Sequence, residues 1–308
     1  MSRAVLAAPV PLAEPSAGTL ADWLAVTRPR IALLILFTVG TGGLFAALPA
    51  TAPWAILFHA VAGTALVASG ASAFNQWLER RTDARMRRTM NRPLPAGRLA
   101  PGQVFAFGVA LALAGSAWLL ATQSTPLPAL LAAGTFAAYV AVYTPLKRCT
   151  TLNTLVGAVP GAMPPVIGAA AATGTIDGHA LALFALLFVW QVPHFLAIAW
   201  MYRDQYARAG LVMLPCRDPE GRATARQMVL WCAALVPVSA LPVALCGAGW
   251  IALLGGIALG GWFLASAVRF ARTPSDALAR RVLKASLLHL PLLLLLLVID
   301  RLWTLPLF

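Results

Sequence analysis

The chain has 308 residues, of which 60% are hydrophobic and only 11% charged, a balance that excludes an ordinary soluble domain and fits a polytopic membrane protein. Its formal net charge of +13 is spread over loops rather than along one soluble surface. Nucleic-acid binding is therefore set aside in favour of membrane orientation and contact with lipid headgroups of the bilayer.

Residues 1–21 are rich in Ala and Pro, and Pro9, Pro11 and Pro15 interrupt anything resembling a signal-peptide core. This segment reads as an uncleaved, flexible N-terminal arm, followed by one transmembrane domain over 22–308. A matrix-targeting segment is richer in Arg and Ser, so a bacterial inner (plasma) membrane is preferred to a mitochondrial one. Apolar runs long enough to cross ~30 Å of hydrocarbon lie near 31–49, 54–74, 103–122, 127–143, 153–172, 179–200, 228–247, 250–270 and 284–303. The fold class is all-α, with about nine transmembrane helices in a bundle. Eight or ten also fit, because the runs near 153 and 228 contain Gly or Pro, which membrane helices tolerate when neighbours satisfy the freed carbonyls.

With nine spans, 22 of the 23 Lys and Arg residues fall on one side and only Arg301 on the other. The positive-inside rule places the basic side in the cytoplasm. Cys149, Cys216, Cys232 and Cys246 show no CxxC pairing, and the first two fall on the reducing side, so neither disulfides nor a zinc site is expected.

Two polar loops follow the second and sixth helices on the basic side. This four-helix offset suggests two halves whose loops face each other across a central cavity. In the first, Asn75, Glu79 and Asp83 recur every four residues and drift by only about 40° per step on an α-helix, so their oxygens share one face. Mg²⁺ takes about six oxygens, one or two of them carboxylates and the rest water and phosphate, and this spacing suits it. Arg88 and Arg92 follow at i, i+4, able to clamp a phosphate bidentately. The competing reading pairs Glu79 and Asp83 with nearby arginines at a solvated helix end. The turn RPLPAG and the second loop argue against it.

The second loop begins inside helix 6 as WQVPHF (Trp190 to Phe195) and continues through Tyr202, Arg203, Asp204 and Tyr206. Asp204 is the only carboxylate between Asp177 and Asp218, and a second metal-facing oxygen is expected there. His194 lies ten residues earlier, about 15 Å deeper along the helix. It is read as an iron ligand, an acid or base, or a hydrogen-bonding core residue. His59, His179 and His289 lack polar company and are read as structural. A third segment, YTPLKRCTTLNT (Tyr143 to Thr154), joins helices 4 and 5. Lys147 and Arg148 serve either a diphosphate or orientation alone, and Tyr143 either shields a carbocation or is a plain interfacial aromatic.

NQWLERRTDARMRRTMNRPLPAGR, YTPLKRCTTLN and WQVPHFLAIAWMYRDQYARAGLVMLP together resemble the signature blocks of the protoheme IX farnesyltransferase (heme O synthase) family, a branch of the intramembrane aromatic prenyltransferase (UbiA-type) superfamily. The resemblance covers roughly residues 22–303. It implies transfer of a farnesyl group from farnesyl diphosphate to a vinyl group of heme B, giving heme O, with Mg²⁺ as cofactor and a heme A synthase as a further partner. It also implies that the active-site loops are cytoplasmic. By the resemblance, Asn75, Glu79, Asp83 and Asp204 are catalytic positions; His194 and Tyr143 join them as candidates from their own placement in the second and third segments. Glu79, Asp83 and Asp204 hold metal, and Arg88, Arg92, Lys147 and Arg148 hold the diphosphate. The wider superfamily has Asp where Glu79 stands and several Asp in the second block, where this chain keeps only Asp204. That reduced pattern matches the heme-modifying branch. The alternatives are a related prenyltransferase acting on 4-hydroxybenzoate or a naphthoate, and a transporter. The transporter fits less well because the polar residues gather at one rim and not at the midplane.

Overall fold

A computed structural model describes residues 18–48 and 53–303. Most of the expected N-terminal arm, residues 1–17, lies outside the described residues. Among these residues nine helices are long and apolar enough to cross a membrane. They are Pro29–Ala47, Trp54–Asp83, Pro101–Thr122, Leu127–Leu146, Asn153–Thr173, Gly178–Met201, Arg222–Cys246, Trp250–Arg272 and Asp276–Trp303, here numbered spans 1 to 9. Several outrun their apolar stretches on the basic side. Span 2 continues nine residues past position 74 to Asp83, because a helix does not stop where lipid gives way to water.

Spans 5 and 6 form the middle of the bundle, with 67% and 61% of their most apolar stretches buried, against 22% for spans 3 and 4. Span 5 is built for close approach. A Cβ at Gly168 would fall 1.9 Å from the Val39 carbonyl oxygen of span 1, so these helices meet backbone to backbone, as small residues permit in membranes. The outer surface carries exposed Leu33, Phe58, Leu113 and Leu295, which suits contact with acyl chains. On the less basic face, Arg301 Nη2 donates to His179 Nε2 at 2.8 Å, and His179 Nδ1 meets Asp177 Oδ2 at 3.0 Å. His179 thus ties span 9 to the start of span 6. His59 and His289 pack against Trp118 and Phe263 respectively. The four cysteines are free.

A short helix that hydropathy does not reveal, Leu20–Thr27, lies on the basic face. Thr19 and Asp22 form a capping box at its start, and Asp22 Oδ1 receives Arg98 Nε at 2.7 Å. Val26 buries against Ala73, Leu94, Leu99 and Val104, fixing this helix to both span 2 and the loop after it. The Arg98 guanidinium beside Asp22, with the Thr19 hydroxyl, holds the Asp22 carboxyl below its ordinary value.

Candidate active site

The extension of span 2 carries Asn75, Glu79 and Asp83 to the membrane rim on one helix face. Asn75 is fully buried, and its Nδ2 donates to Glu79 Oε2 at 2.8 Å while its Oδ1 accepts from Lys147 Nζ at 3.3 Å and lies 3.3 Å from Thr144 Oγ1. Lys147 also reaches Glu79 Oε1 at 2.8 Å and lies 4.4 Å from the Tyr143 ring centroid. Burial opposes the Lys147 charge, yet the neighbouring Tyr143 and Glu79 hold the ammonium above its ordinary value.

Tyr143 and Lys147 come together because the end of span 4 is wound wide. Residues Ala138–Tyr143 form a π-helical turn, and Thr144 Oγ1 donates five residues back to the Tyr139 carbonyl at 2.8 Å. Pro145 has no N–H and crowds the carbonyl four residues before it, which a wider turn relieves.

Asp83 Oδ2 accepts from Arg92 Nη1 at 2.6 Å, whereas its Oδ1 is buried with no hydrogen-bond partner among the described residues. Burial and the Arg28 charge push the Arg92 guanidinium below its ordinary value, and the Asp83 carboxylate opposes them. Arg88 is held by the opposite loop. Its guanidinium lies 4.8 and 5.8 Å from the rings of Tyr202 and Tyr206, its Nη2 donates to Tyr206 Oη at 3.1 Å, and its backbone N–H donates to Gln205 Oε1 at 3.2 Å. Burial raises the Tyr206 phenol above its ordinary value, so it stays neutral. The two loops therefore face each other, and the third segment joins them through Val212 N–H donating to the Lys147 carbonyl at 2.7 Å.

Two expected residues stand elsewhere. Asp204 is exposed, and among the described residues no group of three His, Cys, Asp or Glu is placed to hold a metal. The reason is local: the chain breaks helix at Tyr202 and restarts as Arg203–Arg208, turning Gln205 and Tyr206 inward and Asp204 to water. Glu79, Asp83 and Asp204 therefore do not come together as a group of three in this structure. Arg148 is turned away, its Nη2 donating to Thr82 Oγ1 at 2.6 Å, where it tethers the segment after span 4 to the end of span 2.

Three features were not anticipated from sequence. Arg28, the one non-glycine residue with positive φ among the described residues (53°), acts electrostatically on Glu79, Asp83 and Arg92. The signal was Pro29, which disfavours helical backbone in the residue before it. Gln76 anchors this junction, its Nε2 donating to the Val26 carbonyl at 2.8 Å. The third is the Tyr202–Gln205–Tyr206 cradle for Arg88.

Glu79 and Asp83 are thus faced by Arg28, Arg92 and Lys147, with Arg88 near Arg92. Four cations over two carboxylates make a receptor for a polyanion, and the unpartnered Asp83 Oδ1 beside Glu79 suits one cation that takes its remaining oxygens from phosphate and water. Beneath lies a cavity of about 50 Å³ bordered by Tyr143, Thr154, Phe195, Ile198, Tyr206 and Met213. At this size it has room for a few waters. A larger cavity of about 220 Å³ near Gln123, Thr125 and Gly174 is lined by none of these residues.

The profile of the UbiA prenyltransferase family matches residues 34–293. The chain belongs to the UbiA prenyltransferase family. Among UbiA prenyltransferase sequences, it is 48% identical to the protoheme IX farnesyltransferase of Solibacter usitatus over 291 residues, covering 91% of this chain and 98% of the relative. It is 45% identical to the protein of that name in Salinibacter ruber, covering 91% and 98%. Among solved structures, a digeranylgeranylglyceryl phosphate synthase superposes with a TM-score of 0.76 at 14% identity, covering 92% of this chain and 98% of that one. A UbiA homologue from Archaeoglobus fulgidus bound to DMAPP and Mg²⁺ gives 0.62 at 16% identity, covering 90% and 99%. At these identities the structures establish the shared UbiA fold.

Proposed function

We propose that this protein transfers the farnesyl group of farnesyl diphosphate to a vinyl group of heme B, giving heme O and diphosphate. The observation that carries the donor half is the buried Asn75–Glu79–Lys147 cluster with Asp83, Arg92, Arg88 and Arg28 around it. The acceptor half rests on relatives named protoheme IX farnesyltransferase that match over nine-tenths of both chains. The second polar block, which offers one exposed carboxylate and an aromatic cradle, also favours this branch over aromatic-acid prenylation.

In this reading Asn75, Glu79 and Asp83 hold Mg²⁺, with Asp83 Oδ1 free to bind it. When bound, the ion neutralises diphosphate charge and makes it a better leaving group. Lys147, Arg92, Arg88 and Arg28 hold the diphosphate oxygens and stabilise the charge that builds on them as the allylic C–O bond breaks. Tyr143 presents its ring to the resulting allylic cation, and its neighbour Lys147 keeps the leaving group apart from that cation. The heme vinyl attacks the cation, and water adds to the cation formed beside the porphyrin, leaving a hydroxyl and releasing a proton. Burial of Asn75, Asp83 and Lys147 limits water around the leaving group, which protects the first cation from hydrolysis.

In this reading the basic face lies on the cytoplasmic side of a bacterial inner membrane, which its excess of Lys and Arg supports. A heme A synthase that accepts the lipophilic product in the same bilayer is the partner this reading implies. The test offers purified protein heme B and 4-hydroxybenzoate together, with farnesyl diphosphate and Mg²⁺, and identifies the prenylated acceptor by mass spectrometry. Farnesylated heme supports the reading. A prenylated benzoate with unmodified heme keeps the diphosphate site and refutes the acceptor.

A further inference from the structure

We infer that Ser286 of span 9 is a positioning residue for His194, fixing its tautomer so that Nε2 presents a lone pair to the iron of the heme substrate. This rests on the heme reading above.

A serine hydroxyl has one hydrogen to give. Ser286 Oγ donates it to the Leu283 carbonyl at 2.7 Å, and the same oxygen lies 2.7 Å from His194 Nδ1. With its hydrogen committed, Oγ accepts, so Nδ1 carries the imidazole proton. In the neutral ring, Nε2 then holds the lone pair. Trp190 fixes the ring plane, stacking on His194 at 4.8 Å and 21° while its own Nε1–H donates to the Ser286 carbonyl at 3.0 Å. Two oxygens of Ser286, its hydroxyl and its carbonyl, thus contact the His194 and Trp190 rings of the WQVPHF block.

His194 is half-buried, unlike most of the residues around it on span 6. Around the turn of the WQVPHF block span 6 is mostly buried, and its half-buried residues there, His194, Phe195 and Ile198, fall within about 100° of one another at 100° per residue. Phe195 and Ile198 border the cavity that Tyr143 and Tyr206 also line, which sets His194 next to a lining residue on the same helix. His289 contrasts: it is fully buried with both ring nitrogens unpartnered among the described residues. An imidazole whose Nδ1–H is committed to an oxygen and whose Nε2 is open is the arrangement that metal-ligating histidines adopt, and losing the orienting partner costs 10- to 100-fold in metal affinity.

The test uses the full chain in detergent, loaded with heme B, read by the iron–histidine stretching band of the ferrous form and by heme titration. The wild type shows the band. His194→Ala loses it and regains nitrogen ligation with added imidazole. Ser286→Ala broadens or shifts the band and raises the heme Kd at least about 10-fold, and Ser286→Thr restores both. Titration with farnesyl diphosphate and Mg²⁺ is unchanged in all three variants, showing that they are folded. A His194→Ala spectrum identical to the wild type, or a Ser286→Ala protein with wild-type band and Kd, overturns the inference. A wild type that farnesylates heme but lacks the band overturns this inference alone. A wild type that leaves heme unmodified while prenylating an aromatic acid overturns the reading beneath it as well.

Discussion

Replacing Lys147 by Met tests the polar cluster at its centre. The ammonium lies 2.8 Å from Glu79 Oε1, and the two side chains are only 10% and 12% exposed. At an effective dielectric of about 20 their attraction is about 6 kcal/mol, much of it offset by the cost of burying both charges. Removing one partner leaves the other buried and uncompensated, for a loss of about 3–5 kcal/mol. Lys147→Met is therefore expected to lower stability by that amount in reversible unfolding by SDS titration. Adding Glu79→Gln removes the stranded charge and should recover most of the loss, while both variants lose at least about 100-fold in kcat/KM through the missing diphosphate contact. A Lys147→Met protein as stable as the wild type, or a double variant no more stable than the single, refutes the buried-pair account.

Tyr206→Phe deletes the hydroxyl that Arg88 donates to. A hydrogen bond to a charged group contributes about 1.5–3 kcal/mol, so kcat/KM for farnesyl diphosphate should fall about 10-fold or more while the heme KM holds, as steady-state kinetics will show. Asp204→Asn should turn over at close to the wild-type rate, because its side chain faces water, whereas Asp83→Asn should lose Mg²⁺-dependent turnover; initial rates against Mg²⁺ decide both. The Asp22 carboxyl is held below its ordinary value, so its contribution is fully present above the unfolded carboxylate pKa of about 3.9 and is lost as pH falls below that through the folded value. Hydrogen exchange should show Leu20–Thr27 loosening in that acid range in the wild type, and already loosened at neutral pH in Asp22→Asn.

The spans were legible because a run of about 20 apolar residues in lipid has few alternatives to a helix. Their basic-side ends were not, since span 2 continues through Glu79, Arg80 and Arg81, where hydropathy sees only charge. Asn75 and Glu79 were readable from four-residue spacing, and the structure joins them through one hydrogen bond. Asp204 was chosen as the only nearby carboxylate, and the break at Tyr202, which sequence does not reveal, leaves its side chain exposed. Arg148 was likewise judged by its charge, and its partner Thr82 is a tertiary choice. The Thr19–Asp22 capping box was present in sequence as T-x-x-D, masked by the Ala- and Pro-rich stretch before it. Ser286 carries no local signal, since its role depends on span 9 crossing span 6 at His194.

The most direct measurement is the mass spectrum of heme extracted after purified protein is incubated with heme B, farnesyl diphosphate and Mg²⁺ in ¹⁸O-labelled water, beside an EDTA control and a folded Glu79→Gln variant. The account predicts a heme carrying one farnesyl group and one labelled hydroxyl, absent with EDTA and from the variant. Unmodified heme in the wild type, or equal product with EDTA, contradicts it.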